Sequence, residues 1–336
     1  MYSEIKSLLK TLCSLNGTSG NEKDAALWAV NELNKYMPAS IDKMGNVVGS
    51  TGEGKSILLD AHLDQIGLAV TAVDEDGFVK VSRVGGSDVR VLTGAEVTIH
   101  GKEDIYGVIT STPPHLAKEE NKGKVNSFDD ITIDIGMKKE DADKIIFPGD
   151  RITFNGPFDE LLNNRIASPS IDDRAGVVAI LRALQIIDGK AKCRIDVQFS
   201  AQEETGGSGA MVGAFNSQAD EAIAVDVSFA AAPGVSSEKY AKLGEGVLIG
   251  YSPSLDYDMS RKLTAIAEEK NIPHSSEVMG GRTGTNGDEI QTSGKGFRTA
   301  VLSIPIRNMH TAVEVCDLED IENTARLMAE YILGAE

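Results

Sequence analysis

The stretch SILLDAHLDQIG, residues 56–67, runs from an apolar strand into ligand-type side chains and then into a different texture. Ser56 to Ala61 reads as a strand after the GEG turn, and on a strand His62 and Asp64 project to the same side. The pattern recurs along the chain. Asp226 follows the apolar run of AIAVDVS, Glu203 and Glu204 end the strand-like CRIDVQFSAQ, and His310 closes TAVLSIPIRNMH. Asp172, in SIDDRAG, stands where a helix opens. Strands of a parallel sheet converge on one edge, so residues at these points can meet in a single crevice. Two histidines among several carboxylates form a donor set suited to two divalent metal ions, Zn or Co first and Mn also. The chain reads as a two-metal hydrolase.

Outward from that stretch, the texture changes at Gln65. As far as Leu162 it consists of short alternating or β-branched runs: GLAVTAV, GFVKVSRV, AEVTIHG, IYGVITS, DITIDIG and DRITFNG. Turns such as DEDGF and FPGD separate them, which predicts a small barrel or sandwich. A βα pattern then resumes, with DDRAGVVAILRALQII as a helix and DLEDIENTARLMAEYIL as a C-terminal helix opened by acidic residues. Upstream, Ile5, Leu8, Leu9 and Leu12 recur at helical spacing, and a second helix runs from about Glu22 to Tyr36 with Ser19 or Asn21 as its cap. The expected fold is α/β. Residues 1–64 and 163–336 form a catalytic domain with a mixed sheet flanked by helices, and an all-β barrel-like insertion at 65–162 interrupts it.

Composition narrows the function. A formal net charge of -18 over 336 residues argues against nucleic acid or an anionic membrane as a partner. Cys13, Cys193 and Cys316 are odd in number and far apart, as in a cytoplasmic protein with reduced thiols. No signal peptide and no apolar run long enough to span a bilayer are evident. Of the paired acids, either Asp172 or Asp173 can cap the helix while the other bridges two metals. Glu203 and Glu204 allow a similar division, one on a metal and the other free to move protons. His100, His115 and His274 read as structural or surface residues. The GGSG at 206–209 lacks the order and the lysine of a phosphate-binding loop, and no nucleophilic serine or cysteine motif stands out.

In this order, AHLDQIG, SIDDRAG, AQEETG, AVDVS and IPIRNMH resemble the cytosolic dinuclear-metal aminopeptidases, the group of tetrahedral and glutamyl aminopeptidases of which some members carry an endoglucanase M label. The resemblance covers essentially the whole chain. It implies a phosphorylase/hydrolase-like catalytic domain, a β domain for dimerisation, and dimers assembling into a tetrahedral dodecamer. It also implies that His62 and Asp226 hold one metal, Glu204 and His310 the other, and that Asp172 bridges them, often followed by a cis peptide. Glu203 would be the general base and Asp64 would orient His62. The substrates implied are peptides with a free N-terminus. Departures from the family pattern fall at Asn286 to Glu289, Asn308 and Ala312. Two rival readings remain. One is a dinuclear deacylase or dipeptidase on the same scaffold. The other is an endoglucanase, which would need two carboxylates about 5–9.5 Å apart across a sugar and usually aromatic platforms. With 5% aromatics and a single tryptophan, Trp28, the chain offers little for the latter.

Overall fold

The computed structural model describes residues 2–112, 127–234 and 240–335; His115 lies outside them. Helices α1 (Ser3–Cys13) and α2 (Lys23–Leu33) open the chain. Neither Ser19 nor Asn21 caps α2, whose N-cap position is Glu22. Strands β1 (Ala39–Ile41), β2 (Val47–Thr51) and β3 (Ser56–His62) follow. The next six strands are β4 (Gly67–Val73), β5 (Val79–Val84), β6 (Glu96–His100), β7 (Asp104–Ser111), β8 (Ile131–Asp134) and β9 (Arg151–Phe154). They close into an antiparallel barrel in the order β4-β5-β8-β7-β6-β9, with the short α3 (Lys139–Ala142) before the last strand. Alternate residues such as Leu68, Val70, Val97, Ile99, Ile133 and Ile152 fill it, the period-2 burial expected of strands with one apolar face.

The chain then returns to the large sheet through β10 (Asp159–Glu160), β11 (Arg165–Ser168), α4 (Ile171–Ile187), β12 (Arg194–Ser200), α5 (Ser208–Ser217) and β13 (Glu221–Phe229). It continues with β14 (Val247–Tyr251), α6 (Tyr257–Glu269), β15 (His274–Val278), α7 (Gly287–Thr292), β16 (Arg298–Arg307), β17 (Glu314–Asp317) and α8 (Leu318–Leu333). The mixed sheet has 11 strands, with the main path β1-β2-β12-β3-β13-β16-β17-β11-β10 and with β14 and β15 attached beside β16. Strands β12, β3, β13 and β16 are parallel neighbours.

Alternation along these parallel strands positions the site. Ile57, Leu59 and Ala61 of β3, Ile195, Val197 and Phe199 of β12, and Ile223, Val225 and Val227 of β13 share one core with α1, α4 and α8. The intervening residues face the other way, where Leu58, Ala222 and Ala224 pack with Ala210 and Ala214 of α5 and Ile290 of α7. Asp60, His62 and Asp226 fall in that second register. Small side chains near the strand centres thus give way to polar ones toward the C-terminal ends. All three cysteines are buried and unpaired. Among the described residues, no helix is long and apolar enough to cross a membrane.

Candidate metal centre

Two groups of nitrogen and oxygen donors meet at the C-terminal edge of the parallel strands. His62, Asp173 and Asp226 form one and Asp172, Glu204 and His310 the other, with the atoms of each group within 4.8 Å of one another. Asp172 joins the two. Its Oδ1 lies 3.1 Å from His62 Nε2 and its Oδ2 lies 3.3 Å from His310 Nε2. His62 Nε2 also lies 3.9 Å from Asp226 Oδ1, and His310 Nε2 lies 3.5 Å from Glu204 Oε1. One carboxylate therefore faces both imidazoles, each of which has a further carboxylate beside it.

The local backbone explains how adjacent acids divide their work. Asp172 and Asp173 are joined by a cis peptide and both lie outside helical geometry at the start of α4. Asp173 Oδ1 accepts the Gly176 N–H at 3.1 Å and its Oδ2 accepts the His62 N–H at 3.3 Å. Asp173 is thus the helix cap and a brace for β3, leaving Asp172 to face the histidines. Asp64 touches His62 chiefly through its main chain. His62 Nδ1 is bonded to the main-chain carbonyl of Asp64 at 2.9 Å, while the carboxylate oxygen stands at 3.5 Å. That carboxylate accepts the N–H groups of Glu203 and Glu204, at 2.9 and 3.1 Å. Glu203 belongs to neither donor group.

Three buried supports are weakly marked in the sequence. Glu314 accepts the N–H of Asp172 at 3.0 Å and that of His310 at 2.8 Å. His310 has φ 63, left-handed for a residue with a side chain, and the bond to Glu314 holds it there. Glu22 does the same for Gln202, φ 60, by accepting its N–H at 3.2 Å just before the glutamate pair. Asp60 accepts from Asn286 at 2.8 Å and from Gln198 at 2.9 Å. An acid four residues after His310 is the one signal that could have flagged Glu314. As for the departures, Asn286 is buried in this network, whereas Asn308 makes an exposed bond to the Val313 carbonyl and Ala312 packs against the barrel core.

The electrostatics are those of a site with too little positive charge. Burial, reinforced by neighbouring carboxylates, pushes Glu204, Asp226 and Asp173 well above the usual carboxylate range. The same causes push Glu203 up to about 7, against the lowering effect of His62. Burial, the largest single effect, would lower the histidines, yet the hydrogen bonds to Asp172 and the charges of the surrounding carboxylates together outweigh it, raising His310 to about 9 and His62 well above its ordinary value. Asp172 alone moves down, because both histidines bond to it. A cluster that gathers protons onto buried N and O donors is the kind that exchanges them for divalent cations. The donor set fits two such ions.

The barrel reaches this site through the turn after β5. A Cβ on Gly86 would overlap the His310 ring, and one on Gly85 (φ +73) would stand 2.8 Å from Glu204 Oε2. Gly86→Ala is therefore expected to displace His310 and lower kcat/KM on the order of 10²-fold, the scale of a 1 Å misplacement. Steady-state kinetics with metal stoichiometry checks this, and full activity would mean the turn yields freely.

A family model described as M42 glutamyl aminopeptidase matches residues 45–327. Lysyl aminopeptidase of Pyrococcus furiosus is 33% identical over 328 residues, covering 95% of this chain and 94% of its own. Aminopeptidase APDkam598 from the archaeon Desulfurococcus kamchatkensis superposes with a TM-score of 0.93 at 33% identity, over 99% of this chain and 96% of that one. The TET1 peptidase of Pyrococcus horikoshii, which can assemble into a tetrahedron or a large octahedral shell, matches with a TM-score of 0.87 at 31% identity, over 99% and 100%.

Proposed function

The chain belongs to the M42 glutamyl aminopeptidase family, and from that premise we propose that it is a cytoplasmic, dinuclear-metal aminopeptidase. The observation that carries the proposal is Asp172 between two imidazoles, 3.1 Å from one and 3.3 Å from the other. His62 and Asp226 would hold one ion, Glu204 and His310 the second, and Asp172 both, with Zn or Co as the first candidates. When bound, such ions supply Lewis-acid polarisation of the scissile carbonyl and lower the pKa of water.

The remaining roles belong to the protein. Glu203, half-buried and raised to about 7, accepts a proton from the attacking water and returns it to the leaving amine. Asp64 fixes that base by holding the two N–H groups of the glutamate turn, while its carbonyl accepts the His62 Nδ1–H and leaves the Nε2 lone pair free for a cation. The surplus of carboxylates also favours a cationic α-amine at the substrate's end, which selects peptides with free N-termini. We further propose that the barrel mediates dimerisation, with dimers building a tetrahedral dodecamer; the support is the likeness to the tetrahedral TET1 peptidase.

A panel of free and N-acetylated peptides, with metal-loaded and chelated protein, tests the activity. Release of N-terminal residues from the free peptides alone, and only with metal, is the expected result. Cleavage of the acetylated set in their place would make the protein a deacylase.

A further inference from the structure

An ion pair stands at α7, next to the turn that carries Glu203. Glu289 lies in α7, whose first turn is anchored to the sheet. Asn286 Nδ2 donates to Asp60 at 2.8 Å and to Ser200 Oγ at 2.7 Å, and Ile290 is fully buried. The Glu289 side chain packs on Gly207, where an added Cβ would fall 2.8 Å from its Cγ. Gly207 closes the turn that Glu203 opens, through its N–H to the Glu203 carbonyl at 3.1 Å.

The partner of Glu289 is of another kind. Arg282 pairs with Glu289 and, at 3.3 Å, with Asp288. Its side chain is 75% exposed, and it belongs to the segment 279–286 between β15 and α7, which contains Gly280, Gly281 and Gly284. Asp288 is already occupied by the N–H groups of Thr283 and Gly284, at 3.0 and 2.9 Å. The fixed member of the pair is therefore the carboxylate of Glu289, which packs on Gly207. The guanidinium is an exposed counter-charge, and an ion pair of this sort contributes little net stability. A cation arriving from the crevice can take its place at little cost, whereas an anion meets one positive charge already shared by two negative ones.

We propose that Glu289 reads the side chain of the substrate's N-terminal residue and that a lysine or arginine side chain displaces Arg282 from it, making basic N-terminal residues the preferred class. The proposal rests on the aminopeptidase reading. It gives Arg282 a role as stand-in for the substrate cation, keeping Glu289 paired between turnovers.

The test compares Lys-, Arg-, Leu- and Glu-p-nitroanilides on the metal-loaded full chain, its Glu289→Gln variant and its Glu289→Lys variant. The native protein is expected to favour Lys and Arg over Leu by about tenfold or more in kcat/KM, with Glu last, as one charge-assisted hydrogen bond provides. Glu289→Gln is expected to remove about tenfold of the Lys-to-Leu ratio, mainly through KM, and Glu289→Lys to move Glu ahead of Lys. Calorimetric titration with L-lysine and L-leucine gives the same contrast without turnover, tighter lysine binding being lost in Glu289→Gln. Native preference for Glu, or a Lys-to-Leu ratio indifferent to both variants while Leu is still released, overturns the side-chain assignment alone. Silence on every free-amine substrate together with cleavage of acetylated peptides overturns the aminopeptidase reading, and this assignment with it.

Discussion

Glu203→Gln is expected to lower kcat by about 10²- to 10⁴-fold while leaving metal content and fold intact, the range typical of a lost general base. The amide keeps the size of the side chain and the backbone N–H that binds Asp64 at 2.9 Å. What it loses is the ability to take a proton from water and pass it to the amine. Because Glu203 stands outside both donor groups, metal analysis separates the two roles an acid can have here. Retained metal with lost turnover identifies the base, whereas lost metal would make Glu203 a ligand and return the base to Glu204 or to solvent. The pH profile adds a second reading. Glu203 is raised to about 7 chiefly by burial, and bound cations would move it back down. The acid limb of kcat/KM is therefore expected between about 4.5 and 7, rising with pH as the base form fills, and that limb should be absent from the residual activity of Glu203→Gln.

Much of this arrangement is legible in the residues because strands advertise themselves by alternation. GLAVTAV and its five companions show it well enough to give all six barrel strands. SILLDAH, by contrast, is buried along its whole length, and its polar residues mark only the end nearer the site. The legibility fails where burial is slight or the element short. Strand β15 has no fully buried residue and α7 has six residues, so neither produces a periodic signal. Position along a strand is also read only coarsely. Asp226 lies inside β13 with three strand residues after it, and His310 lies beyond β16 in the turn to β17, where Glu314 pins it. That Asp64 neighbours His62 is legible from the strand spacing, but not that its carbonyl makes the shorter contact, 2.9 Å against 3.5 Å for the carboxylate, nor that the carboxylate also holds the glutamates. Side-chain supports such as Glu22 and Asp60 gain meaning only from partners more than a hundred residues away, which no local pattern can supply.

Stripping divalent cations is expected to make stability fall steadily with rising pH, an effect that restored metal should largely erase. The direction follows from the signs of the shifts. Glu204, Asp226, Asp173 and Glu203 are all raised by burial and by one another, so the folded protein binds more protons than the unfolded chain once the pH exceeds about 4. Ionising them costs stability progressively through 7 and above. The histidines act in the same direction. Their stabilising charge is complete below about 6.5 and is lost as pH rises through about 9 for His310. Asp172, lowered by its two histidines, has the opposite sign, but its contribution changes only in strong acid. Cations replace the missing protons and bind better as those protons leave, so the gap between the loaded and stripped forms should widen from pH 6 to 8.5. At a thousandfold excess over Kd the linkage is about 4 kcal/mol, a shift in Tm on the order of 10 °C for a chain of this size. Differential scanning calorimetry of both forms across that pH range is the measurement. A stripped protein as stable at 8.5 as at 6 would mean that the cluster is balanced by charges already in the chain, and the case for two cations at Asp172 would go with it.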